Sequence, residues 1–189
     1  LLESRGGEKV VIHRLIAAFT RDTLADGQAQ NDVEKAITQQ LDYRLRESKF
    51  FGSLPFSPGH LRYVISQSKM AATDEVTQLS TILGGYLREI GEFEEAAAIL
   101  EKAIVTAKVI GNHQIQGIAG VLLTRVLESQ GRSKAALHSA NLTEAWLRQS
   151  TPIDSIWLAE VLNRKGWILL RLGKATAAQT AAKESHVLG

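Results

Sequence analysis

Five histidines, His13, His60, His113, His138 and His186, are the residues best suited to hold a metal or move a proton near neutral pH. Their spacing favours neither role: no two fall at i and i+4 and no H-E-x-x-H is spelled, so a helical zinc site has no support. The chain has no cysteine, which removes thiolate ligands, thiol nucleophiles and disulfides together. A phosphate-gripping loop needs a glycine five residues before its Gly-Lys pair and a hydroxyl after it, whereas Gly173-Lys174 has Ile168 and Ala175 at those places. Gly84-Gly85 lacks the G-x-G-x-x-G spacing and a preceding strand, and no G-x-S-x-G elbow presents a serine. Glu92, Glu94 and Glu95 stand at a helix start, where carboxylates complement the positive end of the dipole; a carboxylate pair for acid–base work is the competing reading. The chain is equipped for recognition rather than for bond-making.

The elements that would carry recognition radiate from Ser80 to Asn112. Leu83, Leu87 and Ile90 share one face of a first helix, and Ala96, Ile99, Leu100 and Ala103 share the inner face of a second, all at helical spacing. Gly91 separates the two runs and can take the left-handed conformation that ends a helix, while Phe93 can fold back over the apolar seam. Gly84 and Ala96 are small enough to let the backbones approach. The pattern recurs: Gly131 follows Gly91 by 40 residues (131 − 91) and Gly173 follows Gly131 by 42 (173 − 131), each between an apolar helical run and an alanine-rich one. Leu123, Leu127 and Ala136 in the second copy, and Gly166, Leu169 and Ala178 in the third, hold the corresponding places. Helices are expected near Glu75–Glu89, Glu92–Ile110, His113–Ser129, Ser133–Gln149, Ser155–Arg171 and Ala175–Val187, with Gly111-Asn112 and Thr151-Pro152 as punctuation.

The series Leu83, Gly84, Leu87, Gly91, Phe93, Ala96, Leu100, Ala103 resembles the tetratricopeptide (TPR) pattern, with a period longer than the usual ~34 residues, as in repeats of kinesin-light-chain type. The resemblance implies an all-α fold, a right-handed solenoid of antiparallel helix hairpins with repeats at 73–112, 113–152 and 153–189. It also implies that the first helix of each hairpin lines a concave groove. The matching offsets select Gln78, Thr81, Gly85 and Arg88, then Ile118, Val121, Arg125 and Glu128, then Glu160, Asn163, Trp167 and Arg171. On that reading three arginine forks could grip a carboxylate or phosphate, with Trp167 as an aromatic anchor. The competing reading makes the arginines a solvated face and Trp167 core. The chaperone-tail clamp of some relatives uses Lys and Asn at set positions, and Thr81 and Val121 occupy the first of these, so that activity has no support. Trp146 and Trp157 read as inter-repeat packing.

Ahead of the repeats, Leu1 to Ile12 reads as apolar run, glycine turn and β-branched run, a short β-hairpin, followed by a helix from His13 to Leu24. This stretch, LLES, a glycine turn and KVVIHRLIAAFTRDTL, resembles the end of the winged-helix subdomain of NB-ARC (STAND) signal-transduction ATPases. The resemblance implies that residues 1–26 close a regulatory ATPase and that the remainder is its sensor. The family's nucleotide-associated histidine lies in "MHD"; here Ile12 and Arg14 flank His13, which also reads as a polar helix-start residue. Residues 27–72 hold a linker, a long amphipathic helix from Asn31 to about Phe51 and a helix behind Pro58 carrying Leu61, Val64 and Ile65 on one face, elements that would cap the array.

With 44% hydrophobic residues in 189, the chain can bury a substantial core. A formal charge of +2, with both signs mixed throughout, gives no electrostatic footprint for nucleic acid or a membrane surface. No apolar run is long enough to span a bilayer and no signal peptide opens the chain, which with the absent cysteines leads to a cytoplasmic expectation. Leu1 in the place of Met leads to the expectation of a piece cut from something longer. The expected function is a non-catalytic, cofactor-free interaction and sensor segment that binds a protein or peptide, or the nucleotide-binding module of its own full-length chain, in the groove; homo-oligomerisation is left open. Two other classes compete, a peptide-sensing transcriptional regulator and an enzyme with a site hidden between helices.

Overall fold

The computed structural model describes residues 2–4, 10–12, 58–67 and 73–188. The helices expected at His13–Leu24 and from Asn31 to Phe51, with the linker between them, lie outside the described residues. Strands β1 (Leu2–Ser4) and β2 (Val10–Ile12) pair antiparallel, with Leu2 opposite Ile12 and Ser4 opposite Val10, the hairpin the glycine turn predicts. Seven helices follow among the described residues: α1 (Pro58–Gln67), α2 (Asp74–Glu89), α3 (Phe93–Ile110), α4 (His113–Ser129), α5 (Ser133–Gln149), α6 (Ser155–Arg171) and α7 (Ala175–Leu188).

The last six form three antiparallel hairpins, α2–α3, α4–α5 and α6–α7, each packed on the next. The fold is all-α, a helix-hairpin solenoid. Gly91, Gly131 and Gly173 lie at the bends within successive hairpins with φ of 86°, 71° and 74°, the left-handed region that costs other L-residues ~1–2 kcal/mol. At each bend the amide two residues beyond the glycine's predecessor closes the turn, as when Glu92 donates to the carbonyl of Leu87 at 2.9 Å and Arg132 to that of Leu127 at 2.9 Å. The starts of the first helices are set by side chains: Thr73, Asn112 and Asp154 accept from Val76, Ile115 and Trp157. These caps are tied across repeats, since Asn112 Nδ2 donates to Asp74 at 2.9 Å and Gln114 Nε2 donates to Asp154 at 3.1 Å.

Close approach within a hairpin rests on small residues. Gly84 of α2 lies against Leu100, and Gly117 and Gly120 of α4 lie against Leu147 and Thr143 of α5. At the place of Gly84, the second copy has Thr124, whose hydroxyl reaches Gly120 O (2.9 Å) and Ser139 Oγ (3.0 Å) in a buried crossing. One apolar cluster joins Leu79, Leu83, Leu87 and Leu100 to Leu122 and Val126, with Phe93 folded against it; a second joins Val121 and Ala140 to Leu158, Val161 and Leu162, with Trp157 against it. Helix α1 covers the outer side of α2 through Leu61, which is buried with Leu79 and Leu83, and Arg62 is paired with Glu95 of α3 at 2.6 Å.

Candidate functional site

The first helices of the three hairpins, α2, α4 and α6, pack side by side in addition to packing on their own partners. They run in the same direction, so their C-terminal halves meet, and there the charged residues gather. Arg88, in the last turn of α2, is paired with Glu89; its side chain is only 15% exposed and its Nε is buried without a partner. On α6, Arg164 Nε donates to Glu160 at 2.8 Å, and Arg171 Nη2 donates to Glu128 of α4 at 2.5 Å. Arg164 also stands 4.0 Å from Glu128, whose side chain is 12% exposed. Arg88 and Arg171, in the last turns of α2 and α6, also meet the negative ends of those helix dipoles.

Arg125 is the odd member of this cluster. It is half-buried on α4, one turn before Glu128, and although its carbonyl accepts from Ser129 Oγ, its guanidinium makes no hydrogen bond or ion pair among the described residues. Burial holds its guanidinium below the usual arginine range, and the neighbouring Arg88 and Arg164 push it further the same way, against the opposing pull of Glu160 and Glu89. Glu128 moves the other way: burial raises its carboxyl above the ordinary value of 4.5 in spite of Arg164 and Arg171. The cluster thus sets four arginines (88, 125, 164 and 171) against three glutamates (89, 128 and 160), and the charge left over lies on a partly desolvated guanidinium.

The sequence-selected groove residues divide into three groups. Arg88, Arg125, Glu128, Glu160 and Arg171 come together in the charged cluster, and Gln78 is half-buried on α2. Thr81 and Val121 are buried, 4% and 0% exposed, and Gly85 is buried too; the hydroxyl of Thr81 donates to the carbonyl of Thr77, so these positions form the contact between neighbouring first helices and present nothing to a ligand. Ile118 is half-buried against the first apolar cluster. Asn163 and Trp167 lie elsewhere, in a cleft between α6 and α7 of the last described hairpin; Trp167 is 58% exposed and therefore not core.

Arg164 escapes the offsets, although its position four residues after Glu160 is the ordinary signal for a helical ion pair. A second network was also unread: Glu144 of α5 accepts from Lys165 of α6 at 2.7 Å and from Arg148, which also pairs with Glu184 of α7. It ties the last two repeats together. Among the described residues no three His, Asp or Glu side chains converge on a point that could hold a metal ion, and no helix is long and apolar enough to cross a membrane. No protein-family model matches this chain, and no curated protein is significantly similar to it.

Proposed function

We propose that the chain is the TPR-like sensor segment of an NB-ARC-type regulatory ATPase and binds an acidic protein or peptide segment across α2, α4 and α6. The observation that carries this reading is Arg125, a half-buried cation without a partner inside a cluster that is one negative charge short. An incoming carboxylate would meet a guanidinium whose desolvation is already complete in part, so the charge-assisted bond is stronger than on open surface. A carboxylate fits better than a phosphate. Its single charge balances the surplus of one, whereas a dianion would face Glu89, Glu128 and Glu160 unneutralised.

The antiparallel strand pair at residues 2–4 and 10–12 supports the regulatory-ATPase context, because it lies where the resemblance puts the last hairpin of a winged helix. The acidic segment can belong to a separate partner or to the nucleotide-binding module of the same full-length chain. In either case a ligand that prefers one arrangement of the array over another shifts the balance between the resting and active ATPase by that difference in affinity.

The test is fluorescence polarisation with a labelled peptide of alternating Glu and Ala against its Gln counterpart, on the unaltered chain and on Arg125→Ala. Binding confined to the Glu peptide, weakened at least tenfold by the substitution and by raised salt, is the expected result. Equal affinity for the two peptides, or an unchanged affinity in Arg125→Ala, refutes it.

A further inference from the structure

The first and the last of the described hairpins are covered differently. At the first, α1 lies over α2 and buries Leu61. At the last, the face of α6 and α7 that corresponds to a covered face in the preceding repeat has nothing on it among the described residues. The correspondence follows from the 42 residues between Gly131 and Gly173 (173 − 131): Asn163 and Ala182 repeat Val121 and Ala140, which are both 0% exposed because α6 covers them with Leu158, Val161 and Leu162.

The residue types at the open face run against its exposure. Where the covered repeat has Arg125 and Glu128, the open one has Trp167 and Leu170, which are 58% and 53% exposed, and Ile156 continues the stripe toward the start of α6 at 74%. A face shaped by water would show the opposite substitution, and an apolar stripe of this kind marks a surface that is covered in use. The cleft it forms with α7, about 320 Å³, has only Asn163 and Gln179 as polar lining, too little convergent polarity for a small-molecule site. Its edge is positive. Lys174 and Lys183 are exposed without ion pairs among the described residues, while the one glutamate of each helix, Glu160 and Glu184, is held by Arg164 and Arg148.

We infer that the α6–α7 face is a docking site for an amphipathic helix with an acidic flank, seated as α6 is seated on α4 and α5. Apolar side chains spaced like Leu158, Val161 and Leu162 fill the cleft beside Trp167 and Leu170, and acidic residues on the helix edge meet Lys174 and Lys183. A second copy of this chain presenting the same face would bring lysines against lysines, which the positive edge disfavours. The site is separate from the arginine cluster, and either can fail without the other.

The probe is an 18-residue designed helix with leucines at i, i+3, i+4 and i+7 and glutamates on both flanks, compared with the same helix flanked by lysines, both added to the full chain. The expected result is a blue shift of tryptophan emission with the acidic helix alone, absent in Trp167→Phe, and a loss of affinity of at least tenfold in Leu170→Ser. The double charge reversal Lys174→Glu with Lys183→Glu should switch the preference to the lysine-flanked helix. The exposed positions of all four residues keep these variants folded, which circular dichroism verifies. Equal response to both helices, no response to either, or sedimentation showing a dimer that Leu170→Ser dissolves would overturn the assignment.

Discussion

Gly120 of α4 and Thr143 of α5 occupy one van der Waals slot: a Cβ on Gly120 would stand 2.3 Å from the Thr143 hydroxyl oxygen and 3.1 Å from its Cβ and Cγ2. Threonine is branched at Cβ and here its hydroxyl already donates to the Ser139 carbonyl at 2.8 Å, so it cannot swing aside cheaply. Gly120→Ala is therefore expected to destabilise the chain by ~1–3 kcal/mol from overpacking, less the ~1 kcal/mol that alanine gains in a helix. Gly166 is the control. Its nearest neighbour to an added Cβ is the Ala178 carbonyl at 3.4 Å, so Gly166→Ala should be neutral or stabilising by up to ~1 kcal/mol. Chemical denaturation distinguishes the two, and the same sign for both would refute the packing account.

The bends within the hairpins make a different demand. Gly131 has φ of 71° with nothing within 4 Å of an added Cβ, so only the backbone opposes a side chain there. Gly131→Ala should cost ~1–2 kcal/mol, and Gly131→Asn less, because asparagine tolerates the left-handed region better. Identical midpoints for the two variants in a urea titration would contradict this.

These glycines are also why so much of the array is legible in the sequence. A left-handed residue after each first helix and a cap of Thr, Asn or Asp near each start are local requirements, written within a few residues of where they act. Four of the six expected repeat-helix starts and five of the six ends coincide with those observed, and the α2 and α3 starts differ by one residue. The site was less legible for two reasons. Glu128 finds Arg171 across 43 residues, and no local pattern tells that Arg125 is left without such a partner. Offsets along a helix also identify a face but not what stands opposite it. The same offset is buried at Val121, where a repeat follows, and open at Asn163, where none is described.

Two half-buried glutamates should respond to pH in opposite ways. Burial acts to raise the Glu144 carboxyl, but hydrogen bonds from Lys165 and Arg148 outweigh it and leave the group below its ordinary 4.5. Glu144 therefore stabilises the fold above that value, and the contribution is lost as pH falls through the lower folded value. Glu144→Gln should cost ~1 kcal/mol at pH 7, with the gap to the unaltered chain closing in acid. Glu128 is raised by burial, so its stabilising protonated form is present below 4.5 and is lost as pH rises through the folded value. Glu128→Gln should leave the melting temperature at pH 7 unchanged or higher. A fall as large as that of Glu144→Gln would show that Arg164 and Arg171 outweigh desolvation after all.

The docking of α1 separates apolar burial from ion pairing. Leu61 is 1% exposed in the main apolar cluster, whereas the Arg62–Glu95 pair is 42% and 40% exposed and screened by water. Leu61→Ala should cost ~2–4 kcal/mol and Arg62→Ala under ~1 kcal/mol. Equal losses in thermal unfolding would mean that the pair fastens α1 as much as the leucine does.

Arg125 gives the most discriminating prediction, because its effect on stability and its effect on binding have opposite signs. A guanidinium that is half out of water, without an ion pair and between Arg88 and Arg164, costs the unliganded fold free energy that a methionine of similar length would not. Arg125→Met should therefore stabilise the chain by ~1 kcal/mol and abolish binding of the acidic peptide, the usual pattern for a residue retained for function at the expense of the fold. Arg171, 48% exposed and paired with Glu128, serves as the reference: Arg171→Met should be neutral or mildly destabilising. Were Arg125→Met to destabilise the chain instead, the arginine would be supporting the packing of α2, α4 and α6, and the surplus charge would no longer identify a ligand site.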